Sequence, residues 1–301
     1  MTIRERIAAP SSTLSFEFFP PRTLEGREVL DETIARLATT EPDFVSVTYG
    51  ASGSTRDLSR EVVRGIAQGC AFPPLAHLTC VSASRAELTQ IIEEFLAEGV
   101  RGFLALRGDP PQGESDWRPH SDGLLYASQL VAFIREVAGA HGLGPEKISI
   151  GVAAFPTIHA DERWRVQGLE VLQAKQEAGA DFAITQVFFE AHQYLDFMVD
   201  AQAAGITLPL LPGIIPVLDS TRASRLEQMT GVVVPALLLK DLATAPDDDA
   251  ARSVGVAHAT ALARTVLDAG APGIHVYTFN RYRAALELVD ALGLGPSGRR
   301  A

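Results

Sequence analysis

Hydrophobic and polar positions along this chain fall into two alternating kinds of block. Short runs rich in strand-forming apolar residues are followed by stretches in which apolar residues return every three or four positions. The runs at 15–22 (SFEFFPPR), 44–50 (FVSVTYG), 74–80 (PLAHLTC), 102–109 (GFLALRGD), 147–156 (KISIGVAAFP), 182–189 (FAITQVFF), 208–216 (LPLLPGIIP) and 273–280 (GIHVYTFN) read as strands. Between them lie helical patterns. Val29, Leu30, Ile34 and Leu37 mark a helix over 26–38, and Leu58, Val62, Val63 and Ile66 mark a second that stops near Gly69. Ser84 and Glu87 form a capping box that opens a third, with Leu88, Ile91, Ile92 and Phe95 on one face and Gly99 as its stop. Ala127, Leu130, Val131, Ile134 and Val137 carry a fourth, after a polar, proline-rich loop over 110–122. Further helices are predicted over 162–178, through Leu195 and Met198 to Gly205, over 220–229, from the aspartates at 247–249 to Leu267, and over 282–292.

Eight strands alternating with helices, mostly about 30 residues apart, match the size of one βα unit. The strands are apolar on both faces, as covered parallel strands are. The predicted fold is therefore α/β, a (β/α)₈ barrel forming a single domain over 1–301, with the barrel at about 14–292. A doubly wound sheet is the competing architecture. It would need a glycine-rich phosphate loop after the first strand, where the chain reads Pro-Pro-Arg. The one GxGxxG, at 293–298, has no helix after it.

Composition narrows the class further. The chain is 47% hydrophobic and 21% charged, with a net charge of −11, which argues against nucleic acid or an anionic membrane as partner. No apolar run is long enough to span a bilayer, and the first fifteen residues show no leader-like run. Two cysteines, with no CxxC, suit a reducing, cytoplasmic setting. The seven histidines show neither HxH nor HExxH spacing, so no metal is expected.

The barrel makes the polar positions informative, because active sites sit at the C-terminal ends of barrel strands. Glu17, Thr48 with Tyr49, His77 with Thr79, Arg107 with Asp109, His159, Gln186 and Arg281 all fall late in strands or just after them. Hydrogen-bonding groups from several strands would thus converge on one mouth, as in an enzyme with a large polar-lined cleft. Glu17 stands out, since a carboxylate between Phe16, Phe18 and Phe19 is costly to bury unless it is used or paired. Each residue also has a plainer reading. Glu17 could pair with an arginine, Asp109 could bridge to Arg107, His77 could be a core histidine, and Lys175 could be a solvated helix residue.

Taken together, FEFFPPR, FVSVTYGA, HLTC, ALRGDPP, GVAAFP followed by His159, AGADFAITQVFF, PGIIPV and YTFNR resemble the methylenetetrahydrofolate reductase family over almost the whole chain. The resemblance implies a barrel that binds FAD at its strand ends. It implies reduction of 5,10-methylenetetrahydrofolate to 5-methyltetrahydrofolate by NADH or NADPH in a ping-pong reaction that supplies methionine synthesis. It also implies a homo-oligomer, and a chain without the S-adenosylmethionine-binding domain of larger relatives.

By the same resemblance Glu17 is the general acid, its pKa raised by the phenylalanines around it, and Asp109 is the carboxylate that stabilises the developing cation. Thr48, Gln186 and Arg281 would contact substrate. Thr48, Tyr49, Ala51, His77, Arg107, Gly108, Asp109, Tyr126, Ala127, His159 and Lys175 would contact FAD. Phe155 stands where many members have tyrosine, Val171 and Ala174 where some have polar cofactor contacts, and Arg222 where some have a glutamine. Two other readings remain: a flavin-free reductase with direct hydride transfer, and a non-catalytic folate- or flavin-binding barrel.

Overall fold

A computed structural model describes residues 1–48, 56–81, 83–108, 120–157, 162–296 and 298. Its strands are β1 (Thr13–Phe18), β2 (Phe44–Val47), β3 (Pro74–Thr79), β4 (Gly102–Leu106), β5 (Ser149–Ala154), β6 (Phe182–Thr185), β7 (Leu210–Leu211), β8 (Gly213–Ile214) and β9 (Gly273–Tyr277). They pair in parallel in the order β7-β6-β5-β4-β3-β2-β1-β9-β8. The two ends of that order are separated in the chain only by Pro212, so the sheet closes on itself. The predicted seventh strand is therefore one barrel strand in two pieces. Leu211 pairs with Ile184 of β6, and Gly213 pairs with His275 of β9.

Pro212 is suited to this switch of partners. It has no N–H to leave unpaired, and its carbonyl accepts from the His275 N–H at 2.9 Å. The next N–H, of Gly213, donates to Thr185 Oγ1 at 2.9 Å. A Cβ at Gly213 would strike the Thr185 carbonyl and the Tyr277 ring, so glycine is needed for the strands to meet.

The helices are α1 (Ile3–Ile7), α2 (Leu24–Ala38), α3 (Arg56–Gly69), α4 (Arg85–Ala97), α5 (Ala127–Ala140), α6 (Glu162–Glu177), α7 (Ala191–Ala203), α8 (Ser220–Thr230), α9 (Ala236–Thr244), α10 (Asp248–Asp268) and α11 (Tyr282–Leu292). The cap at Ser84 forms the expected box with Glu87, and Asp247 caps α10 through the Ala250 N–H. Two helices were not foreseen from the apolar spacing. Helix α9 packs with α8 over a satellite core of Val187, Phe189, Ile215, Val217, Leu226 and Leu238. Helix α1 closes the bottom of the barrel, where Ile3 and Ile7 pack with Phe44, Leu75, Leu104, Phe182 and Leu211.

Strand alternation sorts the rest. On β1, Leu14, Phe16 and Phe18 face the helices in the main core, beside Leu30 and Leu37. Ser15 and Glu17 face inward. The end of β1 is tied to the end of β9. Thr278 Oγ1 donates to the Glu17 carbonyl at 2.7 Å, and the Asn280 side chain both accepts from Phe19 N (2.9 Å) and donates to Phe19 O (2.8 Å). Phe279 and Asn280 have left-handed backbones, φ 47° and 57°, and the Phe279 ring stacks on Phe19 at 5.1 Å.

Candidate active site

The C-terminal ends of the strands open into a cavity of about 900 Å³ lined by Glu17, His77, Arg107, Gly108, Tyr126, Ala127, Lys175 and Gln186, among others. Glu17, His77, Arg107 and Gln186 stand at or just past strand ends, and Gly108, Tyr126, Ala127 and Lys175, named above by family resemblance, line the same space. Thr48 joins them by bonding to Glu17. Arg281 lines a neighbouring rim cavity of about 540 Å³ together with Arg222, Asp219 and Phe279. Burial and the nearby Arg222 lower the Arg281 pKa, against pulls from Asp219 and Asp248. Tyr49, Ala51, Asp109 and His159 lie outside the described residues.

Glu17 is 7% exposed and sits at the centre of a polar group inside the barrel. Thr48 Oγ1 donates to its Oε1 at 3.1 Å, and Ser46 Oγ to its Oε2 at 3.4 Å. Two imidazoles converge on the same Oε2, His77 Nε2 at 3.5 Å and His275 Nε2 at 3.7 Å. This corrects the expected raised pKa. Burial does push the Glu17 carboxyl up, but the His275 hydrogen bond, the charges of His77 and His275 and the Thr48 hydroxyl pull it down, and the net direction is below the ordinary carboxylate value. The expectation failed because Phe16 and Phe18 point to the opposite face of the strand. What surrounds the carboxyl is serine, threonine and histidine.

Burial is the largest influence on the other groups. It lowers His77, with His275 adding to the effect and Glu17 opposing it. It raises Tyr277 well above its usual value, helped by the Glu17 charge, so this phenol stays neutral and donates to the Thr185 carbonyl at 2.9 Å. It lowers Lys175 to about 8. Lys175 is no solvated helix residue. It is 6% exposed, and its ammonium reaches into the cavity with the Ala153 carbonyl at 2.8 Å and the Phe155 ring at 5.9 Å. Gln186 is held by its own turn, its Oε1 accepting from Val187 N at 3.0 Å. Gly108 has φ +81°, and a Cβ there would press on Val81 and Thr79. Among the described residues no cluster of three or more histidine, cysteine or acidic side chains could hold a metal, and no helix is long and apolar enough to cross a membrane.

Sequence reasoning passed over His275, Ser15 and Ser46. The signal was present: in GIHVY a polar residue sits between Ile274 and Val276 just as Glu17 sits between Phe16 and Phe18. His275 lies one layer below the strand ends, opposite Ser15.

Similarity to known proteins agrees with this architecture. The family model for methylenetetrahydrofolate reductase matches residues 2–293. The 5,10-methylenetetrahydrofolate reductase of Escherichia coli K12 is 36% identical over 284 residues, covering 94% of this chain and 91% of that protein. The Arabidopsis thaliana methylenetetrahydrofolate reductase (NADH) 1 is 32% identical over 294 residues, 94% of this chain and 48% of the plant protein. Among solved structures, an uncharacterised Clostridium thermocellum protein that binds two copies of 5-methyl-5,6,7,8-tetrahydrofolic acid superposes with a TM-score of 0.60 over 99% of this chain and 98% of its own. At 14% identity that likeness speaks for the barrel alone. Matched along nearly its whole length, with Glu17 at the mouth of a closed (β/α)₈ barrel, the chain belongs to the methylenetetrahydrofolate reductase family.

Proposed function

We propose that this protein reduces 5,10-methylenetetrahydrofolate to 5-methyltetrahydrofolate with a reduced nicotinamide nucleotide, NADH or NADPH, and FAD as the intermediary. The product would supply methyl groups for methionine synthesis. The observation that carries the reading is the buried Glu17 carboxyl, held by Thr48 in the wall of the large cavity.

The cavity suits a flat heteroaromatic group with an anionic tail. Tyr126, Phe155 and Val171 offer exposed apolar surface at its wall. Lys175 is a buried cation whose charge no carboxylate among the described residues offsets. A bare ammonium in such a place is costly until an anion meets it. FAD, whose pyrophosphate would be met by Lys175 and Arg107, fits both features. Tyr126, Ala127, Gly108 and His77 would line its remaining surface, with Tyr49, Ala51, Asp109 and His159 added by family resemblance. The chemistry FAD supplies when bound is hydride transfer, from the nicotinamide to the one-carbon unit of the folate.

The rest is done by side chains. Glu17 donates a proton to N10 of the substrate, so that the five-membered ring opens and leaves an iminium at N5. Asp109, by resemblance, places a negative charge near that cation. Gln186 presents an amide to the pterin or to the nicotinamide carboxamide. Both substrates would use the same cavity in turn, which gives ping-pong kinetics. Arg281 and Arg222, in the adjoining cavity, suit the carboxylates of the folate tail.

The test separates the two half-reactions. Glu17→Gln is expected to keep NADH-driven reduction of the bound flavin and to lose reduction of methylenetetrahydrofolate. Wild-type folate reduction by this variant would remove Glu17 as the acid. Apolar Val171 and Ala174 in the cavity wall favour a second reading, direct hydride transfer without a flavin. A colourless, active protein that gains nothing from added FAD would establish it.

A further inference from the structure

Glu17 must be protonated to act, yet its surroundings favour the ionised form. The resolution lies beneath it. His275 is fully buried on β9, opposite Ser15 on β1, with its ring directed into the barrel. Ser15 Oγ lies 2.8 Å from His275 Nδ1 and 3.3 Å from the Ile274 carbonyl. The hydroxyl has one proton, and the carbonyl can only accept. Both contacts are satisfied only if Ser15 donates to Ile274 and accepts from an Nδ1–H.

That assignment fixes the other end of the ring. Nδ1 carries a proton, so a neutral His275 would present the bare lone pair of Nε2 to Glu17 Oε2, 3.7 Å away. An ionised carboxylate there would set two acceptors against each other in a buried place. One proton between them removes the conflict, on Nε2 or on Oε2. Ser46 Oγ, 3.4 Å from both atoms, can satisfy only one of them. His77 Nε2 makes no hydrogen bond although it is buried 3.5 Å from the same oxygen.

We propose that His275 is a positioning residue that shares a single proton with Glu17, holding it on Nε2 while no folate occupies the mouth and returning it to Oε2 when the folate substrate fills it. The idea rests on Glu17 being the acid of the proposed reaction. The two carboxylate oxygens divide the work. Oε2 faces the imidazoles, while Oε1 faces Thr48, which lies just past the end of β2 at the mouth.

In the resting protein the pair is a carboxylate and an imidazolium. Binding removes water from the cavity, which disfavours that separated charge, and the proton moves from Nε2 to Oε2 to give a neutral pair. The carboxyl then turns about its Cγ–Cδ bond, brings the protonated oxygen to the mouth, protonates substrate N10 and is left as carboxylate beside neutral His275. After product leaves, one proton from water restores the pair. The step changes no oxidation state. The single proton it takes from solvent is the one the overall reduction consumes. Among the described residues, the other ionisable groups that touch the pair or line its cavity are His77 from β3, Tyr277 from β9, Arg107 after β4, and Glu170 and Lys175 from α6. Tyr277 stays neutral, and His77 is disfavoured as a cation by its burial.

Two measurements test this. The first uses folate-free wild-type holoenzyme labelled with ¹⁵N in histidine. At pH 7 the His275 ring is expected to carry protons on both nitrogens, and in Glu17→Gln on Nδ1 only. A neutral His275 in the wild type throughout pH 5 to 8 overturns the proposal, whatever the activity. The second uses holoenzyme carrying His275→Gln, checked for native melting. Flavin reduction by NADH is expected to be unchanged. The folate step should fall at least tenfold at pH 8, its alkaline limb moving to lower pH by about one unit or more, the least expected of two groups titrating as a pair. An unchanged alkaline limb in a folded variant also overturns it. If Glu17→Gln itself reduces folate normally, the acid assignment fails instead, and the ¹⁵N result still reports on the pair.

Discussion

The two ends of the barrel interior are built on opposite principles. At the bottom, α1 pushes Ile3 and Ile7 against Phe44, Leu75, Leu104, Phe182 and Leu211, and the inward positions are packed shut with apolar side chains. At the top, the same inward-facing rows carry Ser15, Glu17, Ser46, His77, His275 and Tyr277, under a cavity of about 900 Å³. One end maximises burial of carbon. The other keeps polar groups buried and only partly satisfied, an arrangement that costs stability and persists where chemistry needs it. The difference shows that stability and function are layered along the barrel axis, so substitutions in each layer should have separable effects.

The largest effect should come from the top layer. Glu17→Gln is expected to slow folate reduction by about 10²- to 10⁴-fold, the range for loss of a general acid, while flavin reduction by NADH persists in single-turnover measurements. The bottom layer should show the converse. Ile7→Ala removes a side chain that is 4% exposed and should cost about 2–5 kcal/mol in urea unfolding, with KM for both substrates unchanged. A rise in KM from that substitution would show that the layers are coupled.

Lys175 sharpens the contrast through pH. Its pKa is about 8 in the folded protein against a usual 10.5. Below pH 8 both folded and unfolded chains carry the proton, and the buried charge destabilises the fold. Between about 8 and 10.5 the unfolded chain binds more protons, so this group's contribution to stability improves as pH rises. Affinity for an anion should move the other way, weakening as pH climbs through 8. Lys175→Met should therefore stabilise the ligand-free protein at pH 7 by up to about 3 kcal/mol in thermal or urea melts, while weakening FAD retention on dialysis.

The smallest effect belongs to the seam between β1 and β9. Asn280→Ala removes two hydrogen bonds to Phe19 and leaves a left-handed backbone without its asparagine. A stability loss of about 1–3 kcal/mol is expected, with a modest fall in kcat from looser placement of Glu17.

Much of the barrel was legible because its strands are short apolar runs and its helices begin with recognisable caps. What escaped had physical reasons. Helix α1 is five residues long, too short for a periodic signal, although Thr2 and Glu5 form a capping box and Ile3 and Ile7 share a face. Helix α9 was hidden in a connection without a polar cap, since its N-cap is Pro235. Pro212 argues against a central strand in general and is tolerated here only because the strand changes partner at that residue. At the site, Glu17, His77, Gln186 and Lys175 were visible as polar residues at strand ends or by family motif. The environment of Glu17 is not legible in the sequence because its neighbours along the strand, Phe16 and Phe18, face the helices, while Ser46, Thr48, His77 and His275 reach it from other strands. Arg281 follows the last strand yet lines the cavity beside Arg222 rather than the one that holds Glu17, a division that position along the chain does not reveal.

The split strand at Pro212 also bears on how the molecule assembles. Because 210–214 pairs at one end with β6 and at the other with β9, the ring cannot shut until residue 277 has been made and folded back. Until then the growing sheet presents raw edges at both flanks, the surfaces most prone to misjoining with other chains. Those two dipeptides act as the clasp of a bracelet, and a chain interrupted anywhere before β9 would hold an open band.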